Sequence, residues 1–139
     1  MVKECVLETR DARVVIMDSI SYLEDSDAGS VVISASHGGF SAGEYVLKMS
    51  PPKAVVFNDA GVGKDGAGIV ALSMLNDKGI IAATVSHNTA RIGDARDTWE
   101  NGVISHVNPV ASSRGIRAGI RVVEFCNKVF SASVTNGHT

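Results

Sequence analysis

Three of the four histidines in this 139-residue chain follow a serine at the end of an apolar run: Ser36-His37, Ser86-His87 and Ser105-His106. A fourth apolar run ends in Asn58-Asp59. An imidazole gains and loses a proton near neutral pH, and a carboxylate beside it can orient the ring or activate water. In open α/β sheets ligands bind beyond the carboxyl ends of the strands, so parallel strands would bring these groups to one edge. His37 and His87 are therefore the candidate acid and base, Asp59 their partner, and Asn58 and His106 candidate ligand contacts. The plainer alternative is that Ser and His cap strands and satisfy backbone groups. His37, His87, His106, Asp59 and Asp94 are also enough donors for a divalent metal ion, but none has ligand spacing within one element. A metal ion is thus possible, with no ligand set assigned.

The stretch "FNDAGVGKDGAG" (57–68) invites comparison with nucleotide-binding loops. A phosphate loop of the G-x-x-x-x-G-K-[ST] type would need glycine at position 58 and Ser or Thr at 65, where Asn58 and Asp65 stand. Gly61, Gly63 and Gly66 match G-x-G-x-x-G by spacing alone, and the next strand ends in Ser86-His87 rather than in an acidic residue. What remains is a glycine-rich turn whose N–H groups could face a carboxylate or phosphate, with Lys64 adding a point charge. Alternatively, Asp65 complements a helix dipole and Lys64 is solvated.

Two further stretches carry chemistry. "SHNTARIGDARDTWENG" (86–102) holds His87, Arg91 and Asp94; Arg91 suits bidentate capture of a carboxylate, and Asp94 could orient an imidazole or simply pair with Arg91. "SHGG" (36–39) sets Gly38 and Gly39 after His37, so their amides could point at a ligand or form an oxyanion hole. No G-x-S-x-G elbow is present and neither cysteine ends a strand, which leaves Ser36 an unfavoured nucleophile. Trp99 reads as a packing anchor in an acidic, helix-like piece.

The elements that must position these residues are apolar runs of strand length at 13–18, 30–36, 53–59, 79–86 and, more weakly, 102–107. Four are continuous and rich in Val, Ile and Ala, the pattern of strands covered on both faces. Helices are expected over 41–49, stopped by Pro51-Pro52, over 64–77, and over 109–130 with a break near 115–119. The segment 19–29 reads either as a short helix or as a hairpin that would make the first strand antiparallel. The expected fold is α/β: a three-layer sandwich with a mainly parallel sheet of about five strands, Rossmann-like or flavodoxin-like. Residues 1–130 form one domain, and 131–139 read as a flexible tail, which takes His138 out of consideration. The apolar stretch 67–75 is expected to lie buried against the sheet or another subunit.

Composition bounds the function. With 45% hydrophobic and 20% charged residues and a formal charge of −2, the chain has no basic footprint for nucleic acid or anionic membrane. The N-terminus lacks a signal-peptide core, and no run nears the roughly 18 apolar residues of a membrane span. Cytoplasm is the expected compartment, with Cys5 and Cys126 as free thiols.

The motifs "SASHGG", "NDAGVGKDGAGI", "ARIGD" and "GVISHVN" resemble those of a family of small bacterial conserved α/β proteins of the same length, over residues 13 to about 120. The resemblance implies a bacterial origin and a single compact domain; it carries over no reaction and no catalytic residue. The residues themselves point to a small-molecule enzyme acting on an anionic metabolite by His/Asp acid–base chemistry, of hydrolase or lyase type. His37, Asp59 and His87 would carry the proton transfers, and Arg91 with the 61–66 turn would hold the anion. No cofactor fingerprint is visible. A non-catalytic ligand-binding or regulatory module is the alternative, a structural subunit of a larger complex a third reading, and a homo-oligomer fits all of them.

Overall fold

In the computed structural model, which describes residues 1–137 and the side chains of 1–131, each apolar run becomes a strand. They are β2 (Arg13–Met17), β3 (Val31–His37), β4 (Ala54–Asn58), β5 (Ile81–Val85) and β6 (Ile104–Val107). A strand not expected from the sequence, β1 (Lys3–Glu8), precedes them. The sheet therefore has six strands rather than about five, in the order β1-β2-β3-β4-β5-β6. The four central strands are parallel, and β1 and β6 pair antiparallel at the two edges. The segment 19–29 is neither one helix nor a hairpin: two 3-10 turns, Ile20–Tyr22 and Asp25–Asp27, carry the chain across, and β2 runs parallel to β3.

Period-2 alternation along doubly covered strands builds two cores. Val15, Met17, Val32, Val55, Phe57 and Ala82 face one way, onto Ile20 and Leu23, α1 (Phe40–Leu47) and α2 (Val70–Asn76). Their neighbours Val14, Ile16, Val31, Ile33, Val56 and Ala83 face the other way, onto residues that follow β5, including Ala95, Ala111, Phe125 and Val129. Those residues lie on α3 (Ala95–Asn101), α4 (Pro109–Ser113) and α5 (Val122–Gly137). The result is three layers. Rossmann and flavodoxin sheets reverse their strand order at a switch point; this sheet runs sequentially, so every connection between β2 and β5 packs on the same face.

The helices differ from expectation in detail. The stretch 64–77 splits into a 3-10 turn (Lys64–Gly66) and α2, and the 109–130 stretch breaks into α4 and α5 around Gly115 and Gly119, both at positive φ. Trp99 lies on α3 and packs, partly buried, against the second core. Helix α5 continues to Gly137, across most of the segment read as a tail, and His138 lies outside the described residues. Cys5 is exposed and Cys126 buried, both unpaired; burial pushes the Cys126 thiol up to about 12, which leaves it unreactive. Among the described residues no helix is long and apolar enough to cross a membrane.

Candidate active site at the carboxyl edge of the sheet

Asp59, the residue after β4, is the centre of the edge. It is 4% exposed, and its Oδ1 accepts the N–H of Gly61 (2.8 Å) and of His87 (3.0 Å). His87 Nδ1 stands 3.3 Å from the same oxygen, and His106 Nδ1 3.9 Å from Oδ2. Burial alone would raise the Asp59 pKa; the amides of Gly61 and His87, with the Ser105 hydroxyl and the His87 ring, outweigh it and hold the carboxyl below its ordinary value. The side chain of His87 is 47% exposed. A buried carboxylate thus fixes one nitrogen of an imidazole whose remaining edge is open to a ligand, the arrangement by which a carboxylate orients a general base.

His106 reaches this centre by a route not visible in its strand-end position. Strand β6 runs antiparallel, and its register sets His106 opposite Thr84 of β5. His106 Nδ1 lies 3.1 Å from Ser105 Oγ and 3.3 Å from Thr84 Oγ1, and those two hydroxyls are 2.9 Å apart. The sequence marks Ser105 only as part of the Ser-His recurrence and Thr84 not at all; the strand pairing brings both into this group.

His37 ends β3 opposite Asn58 in the register, so it shares the edge, but among the described residues its side chain makes no hydrogen bond. Its ring lies over Gly39, where a Cβ would come 2.7 Å from Nε2. Gly39 is the N-cap of α1 and offers no side-chain cap, so the helix begins with uncapped amides beside this imidazole. Gly38 is structural: its N–H donates to Asn58 O (2.9 Å), and a Cβ there would meet Gly68 O at 2.8 Å.

The glycine loop behaves differently from expectation. Gly61 N–H is taken by Asp59, Gly63 N–H by Gly61 O (2.8 Å) and Gly66 N–H by Gly63 O (3.4 Å), so these amides are spent within the loop rather than turned to a ligand. The reason is backbone geometry. Ala60, Gly61, Val62, Gly63, Asp65 and Gly66 all have positive φ. Val62 N–H donates to Asp59 O (2.6 Å) across Ala60 and Gly61, as in a type I′ turn, and Val62 itself centres a three-residue turn at φ 68. A left-handed β-branched residue costs on the order of 1–3 kcal/mol, and such strain persists only where surrounding contacts enforce it. Gly61 also supports His87, whose ring would lie 3.4 Å from a Cβ.

The remaining expected residues are placed elsewhere or otherwise engaged. Asn58 is buried and both ends of its amide are bonded, Nδ2 to Ala90 O (3.0 Å) and Oδ1 from Ala60 N (2.9 Å). Asp94 caps α3, its Oδ1 accepting Asp97 N–H (3.0 Å), and does not orient an imidazole. Arg91 is exposed, its backbone N–H held by Asp97 Oδ2 (2.7 Å); with Asp94, Arg96, Asp97 and Glu100 it lines a separate cavity of about 400 Å3. The loop is thus divided: His87 belongs to the Asp59 centre, Arg91 and Asp94 to the start of α3. Lys64 is exposed on its 3-10 turn. Ser36 Oγ accepts Ile20 N–H (2.9 Å), a structural task. Among the described residues no three His, Cys, Asp or Glu side chains form a ready metal-ligand group.

A pH prediction follows from Asp59. Its folded pKa is lowered, so its contribution to stability is full above the unfolded value of about 3.9 and is lost as pH falls from there through the lower folded value. Asp59→Asn should therefore unfold with a flatter dependence below about pH 4 than the unaltered protein, as denaturant melts across pH 2–7 would record. An identical acid limb in both would exclude Asp59 as an acid-sensitive pin.

No family model, curated protein or solved structure matches the chain. The fold class rests on its own geometry: an α/β protein with a mixed, six-stranded, three-layer arrangement.

Proposed function

We propose that the carboxyl edge of the sheet is an acid–base active site for a small anionic metabolite, of hydrolase or lyase type. The support is one observation above the rest: the buried Asp59 carboxylate 3.3 Å from Nδ1 of a half-exposed imidazole. In this reading Asp59 keeps the His87 Nδ1–H oriented and stabilises the ring when it charges, while Nε2 takes a proton from substrate or water. His37, across the edge at the end of β3, is the complementary acid. The uncapped start of α1 favours an anionic group beside it, and Lys64 adds positive charge from the next loop. Arg91 holds the anion only if its side chain swings from the start of α3 toward the edge. Asp59, His87 and His106 do not form a ready ligand group, so no step of this reading runs through a metal ion; elemental analysis of the purified protein, repeated on His87→Ala, tests for one.

Incubation with a pool of phosphorylated and carboxylated metabolites, followed by mass spectrometry, tests the proposal without assuming a substrate. The unaltered protein should consume at least one compound, and His87→Gln should lower kcat for it by about 10²–10⁴ while remaining folded. Consumption that is the same in His87→Gln would remove His87 from the chemistry. Altered affinity with no turnover in either protein would favour a binding module.

A further inference from the structure

Beside the Asp59 centre, a groove of about 400 Å3 runs between the start of α2 and the end of β6. Its walls are Ile69, Val70 and Leu72 on one side and Val107 and Pro109 on the other, with His106 among them. The volume falls within the range of small-molecule sites and exceeds the roughly 150 Å3 cavity that accepts benzene. Charge gives the groove a direction. Among the described residues Asp65 is the one charged side chain on its wall, held at φ 58 by the strained loop. A carboxylate there repels an anion by up to about 1 kcal/mol, which disfavours the acidic end of a ligand in the groove. His106 joins the two places: its ring is part of the groove wall, its Nδ1 is 3.9 Å from Asp59 Oδ2, and Nε2 has no protein partner among the described residues.

Resting on the acid–base reading above, we propose that the groove is the subsite for the apolar part of the substrate. The substrate class is then an amphipathic small acid: a ring or short hydrocarbon chain lies against Ile69, Val70 and Pro109, the reacting group extends past His106 to Asp59 and His87, and the acidic group lies where the reading above seats it, by the start of α1 and Lys64. His106 serves as the boundary between the two halves and as the donor or acceptor that a polar group at the junction meets. The continuity of the groove with the Asp59 centre favours this occupant over a segment of a second protein copy.

The test is a pair of amide NMR titrations of the full chain at pH 7, with acetate and with 3-phenylpropionate. Both acids should perturb amides at Gly61 and His87, and 3-phenylpropionate should also perturb Ile69 and Val107 and bind at least tenfold more tightly. Ser73→Trp, at an exposed position of α2 that lines the groove, should abolish that tenfold difference and leave acetate binding unchanged. Val70→Thr, close to isosteric and on the groove wall, should weaken 3-phenylpropionate several-fold and acetate not at all, which covers the case of a misfolded tryptophan variant. Equal affinity for the two acids, or a tenfold gain that survives both variants, overturns the groove as a subsite while acetate binding keeps the acid–base reading. No perturbation by either acid at this edge overturns both. Groove amides that shift with protein concentration instead would make the groove an interface between copies and overturn the proposal.

Discussion

Gly68→Ala should destabilise the protein by at least about 3 kcal/mol, a fall in Tm of roughly 10 °C, and should disorder the His87 environment with it. A Cβ on Gly68 would lie 2.0 Å from Asp59 O and 3.0 Å from both Asp59 C and Val62 O. All three are backbone atoms, so no rotamer change relieves the clash. Gly68 N–H donates to Val62 O (2.7 Å), which closes the strained loop against the start of the α2 segment. Separating Gly68 from Asp59 would release the contact that holds Ala60 and Val62 at positive φ, and with it the Asp59 bonds to Gly61 and His87. Gly63→Ala is the control. Its φ is 74 and its ψ −175, a backbone region essentially confined to glycine, but nothing lies within 4 Å of the added carbon, so the cost is backbone strain alone, about 1–3 kcal/mol. Thermal melts of the two variants decide the matter: equal losses would mean that the loop is held by something other than its packing on Gly68.

Asn108→Ala should cost about 3–5 kcal/mol, read by denaturant unfolding. Asn108 is 2% exposed and uses all its polar capacity. Nδ2 donates to Ile80 O (2.9 Å) and Leu72 O (3.2 Å), and Oδ1 accepts Ala111 N–H (3.1 Å) and Ala82 N–H (3.2 Å). One amide thus caps α4 and ties α2, the entry to β5 and the exit of β6 together. Removing it takes a hydrogen bond from four buried backbone groups; Leu72 O stays within the α2 ladder, and each group left without a partner costs about 1–3 kcal/mol before water enters. Asn108→Asp gives a second signature. It keeps the acceptor for the two N–H groups but faces two carbonyl oxygens with a carboxylate, which raises its folded pKa above the unfolded value of about 3.9. That variant should gain stability as pH falls through the raised value, opposite in sign to Asp59. A loss under 1 kcal/mol for Asn108→Ala would mean the four bonds are replaced by water at little cost.

The central strands could be read from the chain because burial on both faces writes itself as unbroken Val, Ile and Ala. Strand β1 could not: "KECVLE" is largely exposed, pairs on one side alone, and is tied down by Lys3 Nζ reaching Glu24 (2.6 Å) and the buried Asp27 (3.0 Å). Helix α3 showed only as an acidic, helix-like piece without bounds, because Trp99 is its one large apolar residue. At the site, the grouping of Asp59 with His87 was legible from their place after neighbouring strands. The inward use of the Gly61 and Gly63 amides was not, since nothing in the types Ala60 and Val62 announces a left-handed backbone. Asn108 is inconspicuous within "GVISHVN" because asparagine after a strand usually means no more than a turn. The antiparallel return of β6, which carries His106 and Ser105 to Asp59, follows from pairing and not from composition.

The sequential sheet has a consequence for the order in which the protein is made. Both layers that face the first core, the central strands and α1 with α2, are complete once β5 has left the ribosome. The opposite face of the same strands, with Val14, Ile16, Val31, Ile33 and Val56, has no cover until α3, α4 and α5 follow. Synthesis from the N-terminus therefore presents, for several seconds at about 5–20 residues per second, a nearly finished sheet with one bare hydrocarbon side. That interval is when the nascent chain is most exposed to aggregation or chaperone capture, and the last third of the chain ends it by closing over the open face.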